Sequence, residues 1–461
     1  MYQTINQIGE DFKSLMLSNV GKDNVLNVSK EEYQKFCDDS YLKFLKAYAE
    51  YCDEAIYNDK KGRKKEGLVV ERKKDIREIF TMWGQLRYER NYYFNKMSGG
   101  YLYPADAILG VAKGERISLR IATDLVKAAV NNTYVAASEI VTGGIVSKQT
   151  VMNKVRMAKV AEEVFDEKKE RPAIKVLHID ADEDHISSQN GRDVIAPLVS
   201  VYEGIETKGK RRSCKNVFHL PFFGTSTEDI WDRVLTEIEC RYDISGSDVT
   251  IYLHGDGASW IKKGAEFLPN VRFVLDKYHM NKYVKQAVAG ISDKKIREDL
   301  IGWLKASLYA GDTSDVEAIG KYVLDNSVAL NKDKIGKAFN YLLRNIAAIS
   351  ILCSDPEANN GGATEPHVSH VLSARFSSRP KGWSAETLRC LVPLRSGRGF
   401  SLCKREVVES KVVDKCLKKE GQIIKKAVKK SRLGLVDPDM ARQLQNGHLT
   451  PIARVLRAFS N

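Results

Sequence analysis

Two short apolar runs of this chain each end in carboxylates. The run VLHIDADEDH carries Asp180, Asp182 and Asp184, and the run VTIYLHGDG carries Asp256. Aliphatic and β-branched runs bounded by turn residues predict buried strands. Neighbouring strand tips would bring two carboxylates close together, which is costly unless a divalent cation neutralises them. The pattern therefore indicates metal-dependent phosphoryl chemistry on nucleic acid.

The first metal ligand is predicted to be Asp182, with Asp180 as the alternative. Strand alternation places both on one face, opposite Ile179 and Ala181. Asp256 lies between two glycines, which permit a tight turn and the close approach of a metal or a phosphate. The competing interpretation is an acidic strand end, or a plain Asp-Gly turn, without a catalytic function.

The third carboxylate is predicted to be Glu365, in GGATEPHVSHVLSARFSSRP, with Glu357 and Glu386 as alternatives. Pro366 directly follows Glu365, which suits the first turn of a helix and puts the glutamate at the helix edge. Together with Asp182 and Asp256, this residue would complete a three-carboxylate site.

A supporting pair, Asp276 and His279, follows the next predicted strand in VLDKYH. Such a pair can orient a metal site, although a helix cap with a satisfied histidine is an equal alternative. His254, His367 and His370 belong to the same region and leave zinc open. Three carboxylates favour a harder ion, so Mg²⁺ is the predicted cofactor, with Mn²⁺ able to substitute.

Composition points to a globular protein with a polyanionic partner. The chain has 461 residues, 43% of them hydrophobic, and a formal net charge of +13, so two or three domains and nucleic-acid binding are expected. The eight cysteines form no CxxC pair. Neither a signal peptide nor an apolar run long enough to cross a membrane is evident, and a cytoplasmic location is predicted.

The order of elements predicts an α/β fold. Strands are predicted over 175–187, 193–205, 211–223, 249–254 and 271–276, with a helix over 226–242 and a short one over 259–267. Three strands followed by alternating helix and strand match a ribonuclease H-like mixed five-stranded sheet with helices on both faces. An all-helical insertion interrupts it. The predicted regions are 1–75 (helical), 76–170 (DNA-binding), 171–276 (core, first part), 277–355 (insertion), 356–394 (core, second part) and 395–461 (basic helical tail).

Several segments are predicted to contact DNA. The segment 133–160 has a helix-turn-helix outline in which Ser147 would cap the second helix. Polar and basic residues predicted on the exposed side of that helix are Lys148, Gln149, Thr150, Asn153 and Arg156. Arg375 and Arg379 are predicted to reach phosphate, and the tail holds 16 Lys and Arg against 6 Asp and Glu. Ordinary bundle helices and solvated basic helices are the alternatives.

Upstream of these segments lies a mainly helical N-terminal region with a small β-hairpin. The basic run 60–74 is predicted to be a solvated loop, with contact to the DNA backbone as the second choice. The segment 76–106 alternates and is predicted to turn at Ser98–Gly100.

Three long motifs resemble the ISLre-type bacterial insertion-sequence transposases, distant relatives of the Mutator-like group. They are DADEDHISSQ, YLHGDGASWIKKGAEFLPNVRFVLDKYHMNKYV and EPHVSHVLSARFSSRPKGWS, in that order. The resemblance covers nearly the whole chain, including YERNYYFNKMSGGYLYPADAILGV. It implies a DDE transposase in which Asp182, Asp256 and Glu365 hold Mg²⁺.

The implied substrate is double-stranded DNA, namely the terminal inverted repeats of an insertion sequence and a target. Enzymes of this chemistry generally act as homo-oligomers, because two ends must be brought together. The alternatives are a ribonuclease H-like nuclease without strand transfer, or a catalytically inactive DNA-binding derivative.

Overall fold

The computed structural model describes residues 2–20, 29–162, 166, 169–209, 211–246, 248–327, 332–360, 362–379 and 381–402. The chain divides into two compact units, which comprise residues 2–124 and 125–402 of the described chain. The predicted basic tail lies outside the described residues from residue 403 onward. The predicted domain boundaries stay predictions.

The first unit combines helices with a three-stranded antiparallel sheet. Its elements are α1 (Tyr2–Val20), α2 (Lys30–Asn58), α3 (Lys60–Lys65), β1 (Leu68–Thr81), β2 (Gly84–Asn95), β3 (Gly100–Leu102) and α4 (Pro104–Ile108). Helix α2 begins with a capping box, in which Ser29 and Glu32 bond each other's backbone N–H groups. The strand order is β1-β2-β3.

Two predictions for this unit need correction. The basic run 60–74 is not a loop, because it forms α3 and the start of β1. The predicted turn at Ser98–Gly100 is confirmed between β2 and β3, but the longer hairpin turns between Thr81 and Gly84. The sequence shows no sign of this turn. The alternating pattern continues on both sides of it, and neither Met82 nor Trp83 is a typical turn residue.

The helix-turn-helix outline is confirmed. Helix α5 covers Leu119–Asn131, α6 covers Tyr134–Thr142 and α7 covers Lys148–Met157. Gly143 ends α6 in the left-handed conformation with φ +57°, and the Ser147 hydroxyl accepts the Thr150 N–H at the start of α7. A short strand, β4 (Ala158–Val160), follows.

A five-stranded mixed sheet forms the centre of the second unit. Its region contains β5 (Val176–Ser187), β6 (Asp193–Tyr202), β7 (Ile205–Lys208), β8 (Arg211–Cys214), β9 (Phe218–Pro221), α8 (Thr227–Glu239), β10 (Thr250–Gly255), α9 (Ser259–Lys262) and β11 (Val271–Leu275). The strand order is β11-β10-β5-β6-β9. Strand β10 runs parallel to β5 and β11, whereas β6 runs antiparallel to both β5 and β9. The predicted mixed five-stranded sheet is confirmed.

The predicted strand 211–223 is wrong as a single strand. It breaks at Asn216, whose φ is +51°, a left-handed conformation that interrupts a strand. The first piece, β8, pairs with β7 in a separate hairpin, and only the second piece, β9, joins the central sheet.

The two faces of the central sheet differ in chemistry. One face packs its apolar residues against α8, and this core includes Ile179, Ala181, Ile251 and Trp231. Burial of such side chains contributes about 1.5–3 kcal/mol each. The opposite face is polar, because β5 places its aspartates there in alternation. The apolar face anchors the sheet, and the polar face presents the candidate site.

The all-helical insertion is confirmed for the part of the chain that the structure describes. It consists of α10 (Lys277–Ala287), α11 (Lys294–Ala310), α12 (Thr313–Asp325), α13 (Lys332–Arg344) and α14 (Ile346–Ser354), with its own apolar core. The chain continues as α15 (Thr364–Val368), a wider π-helical turn over Ser369–Ser373, α16 (Ala374–Phe376), α17 (Ala385–Leu394) and β12 (Phe400–Leu402). Strand β12 pairs with β4, so the start of the predicted helical tail is a strand.

None of the helices in the described ranges combines the length and the apolar character needed to cross a membrane.

The packing of Gly264 against Trp231 predicts a stability effect. A Cβ at Gly264 would lie 2.6 Å from the Trp231 ring, which is fully buried. Gly264→Ala is therefore expected to lower the free energy of unfolding by about 1–3 kcal/mol through overpacking. Urea denaturation measures the change.

The matched control is Gly302→Ala, because Gly302 is exposed in α11 and nothing lies within 4 Å of its added Cβ. This substitution is expected to raise stability by up to about 1 kcal/mol. Equal effects of the two substitutions would contradict the packing account.

Candidate active site

The register between β5 and β10 brings two acids to one level. His254 pairs with Asp180 in this parallel ladder, and Asp256 and Asp182 each lie two residues further along their strands. A Cβ at Gly255 would lie 2.9 Å from the Ala181 carbonyl oxygen. The two strands therefore stay close beyond the end of the ladder, because position 255 is a glycine.

Asp182 lies among the charged side chains of the candidate site. It is only 9% exposed, and one of its oxygens accepts the Glu183 N–H at 2.8 Å. Burial raises the pKa of Asp182 to about 6, and the carboxylates of Asp256 and Asp276 add to the increase, while His279 opposes it. A buried carboxylate with two like-charged neighbours is favourable to a bound cation.

The loop that carries Asp256 is braced from two sides. Its side chain accepts the Ala258 N–H at 2.8 Å, which forms a local turn. The Tyr341 hydroxyl donates to the Asp256 carbonyl oxygen, and the Lys262 ammonium donates to the Asn345 amide oxygen at 2.9 Å. Tyr341 lies on α13, and Asn345 directly follows that helix. The helical insertion therefore fixes the position of Asp256.

The supporting pair, Asp276 and His279, combines both roles considered for it. Asp276 caps α10 by accepting the N–H groups of Tyr278 and His279, at 3.1 and 3.2 Å. The His279 ring nitrogen Nδ1 also lies 3.2 Å from the Asp276 carboxylate. This contact raises the pKa of His279, and the charges of Asp182 and Asp256 act in the same direction. An imidazolium here offsets part of the negative charge.

Asp180 is engaged in a different network. Its oxygens accept the Tyr202 hydroxyl at 3.1 Å each and the Ala363 N–H at 2.9 Å, and the His367 ring lies 3.2 Å away. Although burial opposes it, the contact with Asp180 raises the pKa of His367 to about 9. The Gly362 N–H also donates to the Tyr202 hydroxyl, at 2.9 Å. Asp180 thus anchors the segment before α15 to the sheet.

Glu365 lies in the first turn of α15, as predicted, and its side chain is exposed. Its charge acts on Asp184, whose pKa is raised mainly by burial and to a lesser extent by Glu365. Asp184 accepts the hydroxyls of Ser373 at 3.0 Å and Ser377 at 2.8 Å. These bonds attach the chain that follows α15 to β5, so Glu365 is held next to the acidic edge of the same strand.

The two rival third acids lie elsewhere. Glu357 lies 3.7 Å from the buried His178 ring, further back along β5. Glu386, in the first turn of α17, forms an ion pair with Arg156 at 2.7 Å. Each of these two glutamates has a partner that accounts for its position.

Within the described ranges, no three His, Cys, Asp or Glu side chains stand together in a geometry that would hold one metal ion. His254 is buried and its pKa falls to about 4 because burial disfavours the imidazolium; its ring faces His178 at 3.3 Å.

The predicted DNA-contacting residues of α7 differ in exposure. Lys148, Gln149 and Asn153 are exposed, whereas Thr150 is half-buried. Arg156 is also half-buried, and its guanidinium is paired with Glu386. The exposed side of α7 therefore lies toward its N-terminal end.

Arg375 does not occupy the predicted surface position. It is 6% exposed, its guanidinium donates to the Asn132 carbonyl oxygen at 2.7 Å, and it lies over the Trp383 ring. The prediction that Arg375 reaches phosphate is therefore wrong. Its guanidinium instead binds the backbone carbonyl oxygen of Asn132, which directly follows α5. Arg379 is exposed, but α16 ends at Phe376, so the two arginines do not share a helical face.

Comparison with known proteins identifies the family of this chain. The model of the uncharacterised protein family UPF0236 matches residues 23–411. The chain belongs to the UPF0236 family. Three similar proteins come from Caldanaerobacter subterraneus subsp. tengcongensis, and each is 37% identical to this chain over 90% of its length. The match covers 87%, 88% and 87% of these relatives.

Some of these UPF0236 relatives have several gene loci under one protein name. One bears eleven locus designations and another bears four. Members of the family therefore occupy many positions in that one genome.

Tyr202 and Tyr341 contribute to the UPF0236 site but carried no signal in the sequence. Tyr202 is one of several apolar and aromatic residues in a strand, and Tyr341 lies in an ordinary helical pattern. Both act through hydrogen bonds to residues more than twenty positions away in the chain. His367 was noted as a possible metal ligand, and its contact with Asp180 was not predicted.

The electrostatics of this UPF0236 site predict a pH-dependent stability. The folded pKa of Asp182 is about 6, above its ordinary value of 3.8, so folding loses stability as the pH rises through that interval. Without metal, Asp182→Asn is expected to be more stable than the parent by on the order of 2 kcal/mol at about pH 8. The difference should vanish below the lower value. Urea denaturation with chelator measures it.

Asp232→Asn is the control, since Asp232 is exposed on α8, which packs on the opposite face of the sheet. It should show no such difference. A pH profile for Asp182→Asn parallel to that of the parent would count against the charge cluster.

Magnesium is expected to reverse this effect. A Mg²⁺ ion held by Asp182 and Asp256 would neutralise both, so millimolar Mg²⁺ should raise the melting temperature of the parent protein above neutral pH. The increase should be absent in both Asp182→Asn and Asp256→Asn and preserved in Asp232→Asn. Thermal denaturation with and without chelator measures it, and equal shifts in all four proteins would rule out binding at these acids.

Proposed function

We propose that this UPF0236 protein is a DDE transposase. It binds the terminal inverted repeats of its insertion sequence and catalyses metal-dependent DNA strand cleavage and strand transfer. The observation that carries the proposal is the register of two adjacent parallel strands, in which Asp182, within β5, and Asp256, just past the end of β10, each lie two positions beyond the paired Asp180 and His254. Such a pair is the minimal ligand set for Mg²⁺ in phosphoryl transfer.

The strand order supports a ribonuclease H-like core. Its first strand, β5, lies at the centre, flanked on one side by antiparallel β6 and then β9, and on the other by parallel β10 and β11. The helical insertion separates β11 from Glu365. The order, the strand directions and the position of the insertion agree with the resemblance to the ISLre-type transposases.

The repeated loci of the relatives support mobility. A gene that copies itself within one genome leaves identical or nearly identical proteins at many loci, and eleven designations under one name fit this history. A housekeeping nuclease would not require such multiplicity. The repeated loci support the mobility of the element, whereas the carboxylate geometry supports the proposed chemistry.

When bound, Mg²⁺ would activate a water or a 3′-hydroxyl and stabilise the leaving oxygen of an in-line displacement. Asp182 and Asp256 would hold it, and Glu365 would supply the third carboxylate from the start of α15. The chain hydrolyses the phosphodiester at each 3′ end of its element. Each freed 3′-hydroxyl attacks a target phosphodiester, which joins the element to the target and releases a 3′-hydroxyl of the target strand. No covalent bond between protein and DNA is required.

The surrounding residues position these acids. His279, held by Asp276, limits the repulsion among the carboxylates. Asp180, Tyr202 and His367 hold the segment that leads into α15. We assign Asp180 to this anchoring role and Asp182 to the metal, because the oxygens of Asp180 are already bonded to protein groups.

DNA recognition is proposed for the start of α7. Lys148, Gln149 and Asn153 are exposed there, behind the Ser147 cap. Residues of these types contact phosphates and base edges when a second helix enters the major groove.

Carboxylate substitutions test the proposed chemistry. Asp182→Asn, Asp256→Asn and Glu365→Gln are each expected to lower Mg²⁺-dependent cleavage of end-containing DNA by at least roughly 1000-fold, since metal polarisation supplies several kcal/mol. Binding to the same DNA should remain. Gel analysis of cleavage and a mobility-shift assay measure the two properties.

Asp232→Asn is the control and should cleave normally. Cleavage by the Asp256→Asn protein would refute the metal mechanism, whereas loss only in Asp182→Asn and Asp256→Asn would remove Glu365 from the site. A parent protein that binds the ends without cutting them would be an inactive derivative.

Strand transfer is tested separately with pre-cleaved ends and a target plasmid. The parent protein is expected to produce joined products with Mg²⁺, because the exposed 3′-hydroxyl is the nucleophile of the second step. Degradation without joining would identify a nuclease and contradict the transposase proposal. Electrophoresis of the plasmid distinguishes the two results.

A further inference from the structure

The three-stranded sheet of the first unit has an inner face that is packed and an outer face that is largely open. The inner face is closed by Leu68, Tyr93 and Leu102, which pack against Ile56 of α2. The outer face carries the residues that alternate with these near the β3 end of the sheet, because the ladder of β1 and β2 shifts register between Val70 and Asp75. That face is the strongest candidate for a further binding surface.

A row of apolar side chains crosses the outer face. Val69 of β1 pairs with Phe94 of β2, and Phe94 pairs with Tyr101 of β3. The Phe94 and Tyr101 ring centroids are 4.9 Å apart. Val69 is 37% exposed and Tyr101 is 51% exposed. The row is thus continuous across all three strands and open at both ends.

A second set of rings extends this row. Tyr92 stacks on Tyr101 with centroids 5.1 Å apart and an angle of 11° between the rings. The Tyr92 ring also contacts Tyr103, with centroids 4.6 Å apart. The Arg72 guanidinium lies over the Tyr92 ring at 4.4 Å. Phe94, Tyr101, Tyr92 and Tyr103 together are called the aromatic platform below.

Cationic residues occur on β1 and on the helix that precedes it. Arg72 and Lys73 are exposed on β1, and Lys73 donates to the Tyr57 hydroxyl at 2.6 Å. The preceding helix α3 has the sequence KKGRKK. No carboxylate of the described residues forms an ion pair with the α3 lysines Lys61, Lys64 and Lys65. The three α3 lysines therefore carry positive charge that no described carboxylate pairs with, whereas Arg72 forms an ion pair with Asp75 at 3.0 Å.

We propose that the aromatic platform and the basic residues of α3 and β1 bind single-stranded DNA. Unpaired bases present π faces that stack on exposed aromatic rings, and the phosphates that join them follow adjacent cations. An antiparallel sheet with rings on its open face is a recurrent way to hold unpaired bases. Stacking needs no base-specific hydrogen bonds, so the platform accepts any sequence.

The chemistry of the surface favours single strands over a protein or a duplex. A protein partner of the apolar row would be repelled unless it were acidic, because five of the six α3 residues are basic. A duplex conceals the base faces that the rings would contact. The inference is independent of the acids in the second unit, since every residue used here belongs to the first unit.

The test uses the full chain and a fluorescent oligothymidine. Tyr101→Ala is expected to weaken binding by at least about 5-fold, because loss of one base–ring stack has that scale. Tyr322→Ala is the matched control, since Tyr322 is 46% exposed on α12 of the helical insertion. Fluorescence anisotropy measures each dissociation constant. Unchanged affinity in Tyr101→Ala would overturn the proposal.

Two further substitutions distinguish stacking from apolar contact. Tyr101→Phe keeps the ring and should bind like the parent, whereas Tyr101→Leu keeps the apolar character alone and should bind like Tyr101→Ala. Equal binding by the Leu and Phe proteins would show an apolar docking surface and refute stacking. Circular dichroism confirms that each protein is folded.

The role of the cations is read from the salt dependence. Lys64→Ala combined with Lys65→Ala should reduce the slope of log affinity against log salt by about 0.7 for each phosphate that these lysines neutralise. An unchanged slope would exclude α3 from the surface. Asp232→Asn should bind the oligonucleotide like the parent. Oligothymidine binding and cleavage of end-containing DNA are measured separately, so a failed cleavage assay leaves this proposal standing and a failed binding assay leaves the cleavage proposal standing.

Discussion

The parallel pairing of β5 with β10 is the constraint on which the candidate site depends. In this register His254 lies opposite Asp180, so Asp256, just past the end of β10, comes level with Asp182 within β5. A slip of one residue would turn every aspartate of β5 toward the apolar core. The core on the other face prevents that slip, because Ile179 and Ala181 are fully buried there. Packing on one face of the sheet thus sets the chemistry of the other.

The three aspartates of β5 have different hydrogen-bond partners, which limits the repulsion among their charges. Asp180 is bonded to protein groups, Asp184 accepts two serine hydroxyls, and Asp182 between them accepts one backbone N–H and has its pKa raised to about 6. The first and last of these acids attach the chain around α15 to the sheet. The middle acid is the one whose charge protein hydrogen bonds compensate least. This alternation explains how three aspartates on one face can coexist in a folded strand.

Local patterns predicted most of the elements but few of the long-range contacts. The strand at 176–187, the Ser147 cap and the helical insertion follow from periodicity and capping residues, which act over a few positions. The break at Asn216 was missed, because the residues on both sides favour strands and only a left-handed backbone at one position separates them. Arg375 was misplaced since a surface arginine and a buried one look alike in sequence. Its carbonyl partner lies on a distant helix end.

The hydrogen bond from Tyr341 to the Asp256 backbone has a consequence for local unfolding. Asp256 follows a strand of the central sheet, yet its loop is tied to α13, whose apolar residues belong to the core of the insertion. The free energy that holds this acid in place is therefore shared between two cores. Opening of the insertion would loosen the β10 end before the sheet itself lost any strand. The acid at that end thus belongs to the cooperative unit of the insertion as much as to the sheet.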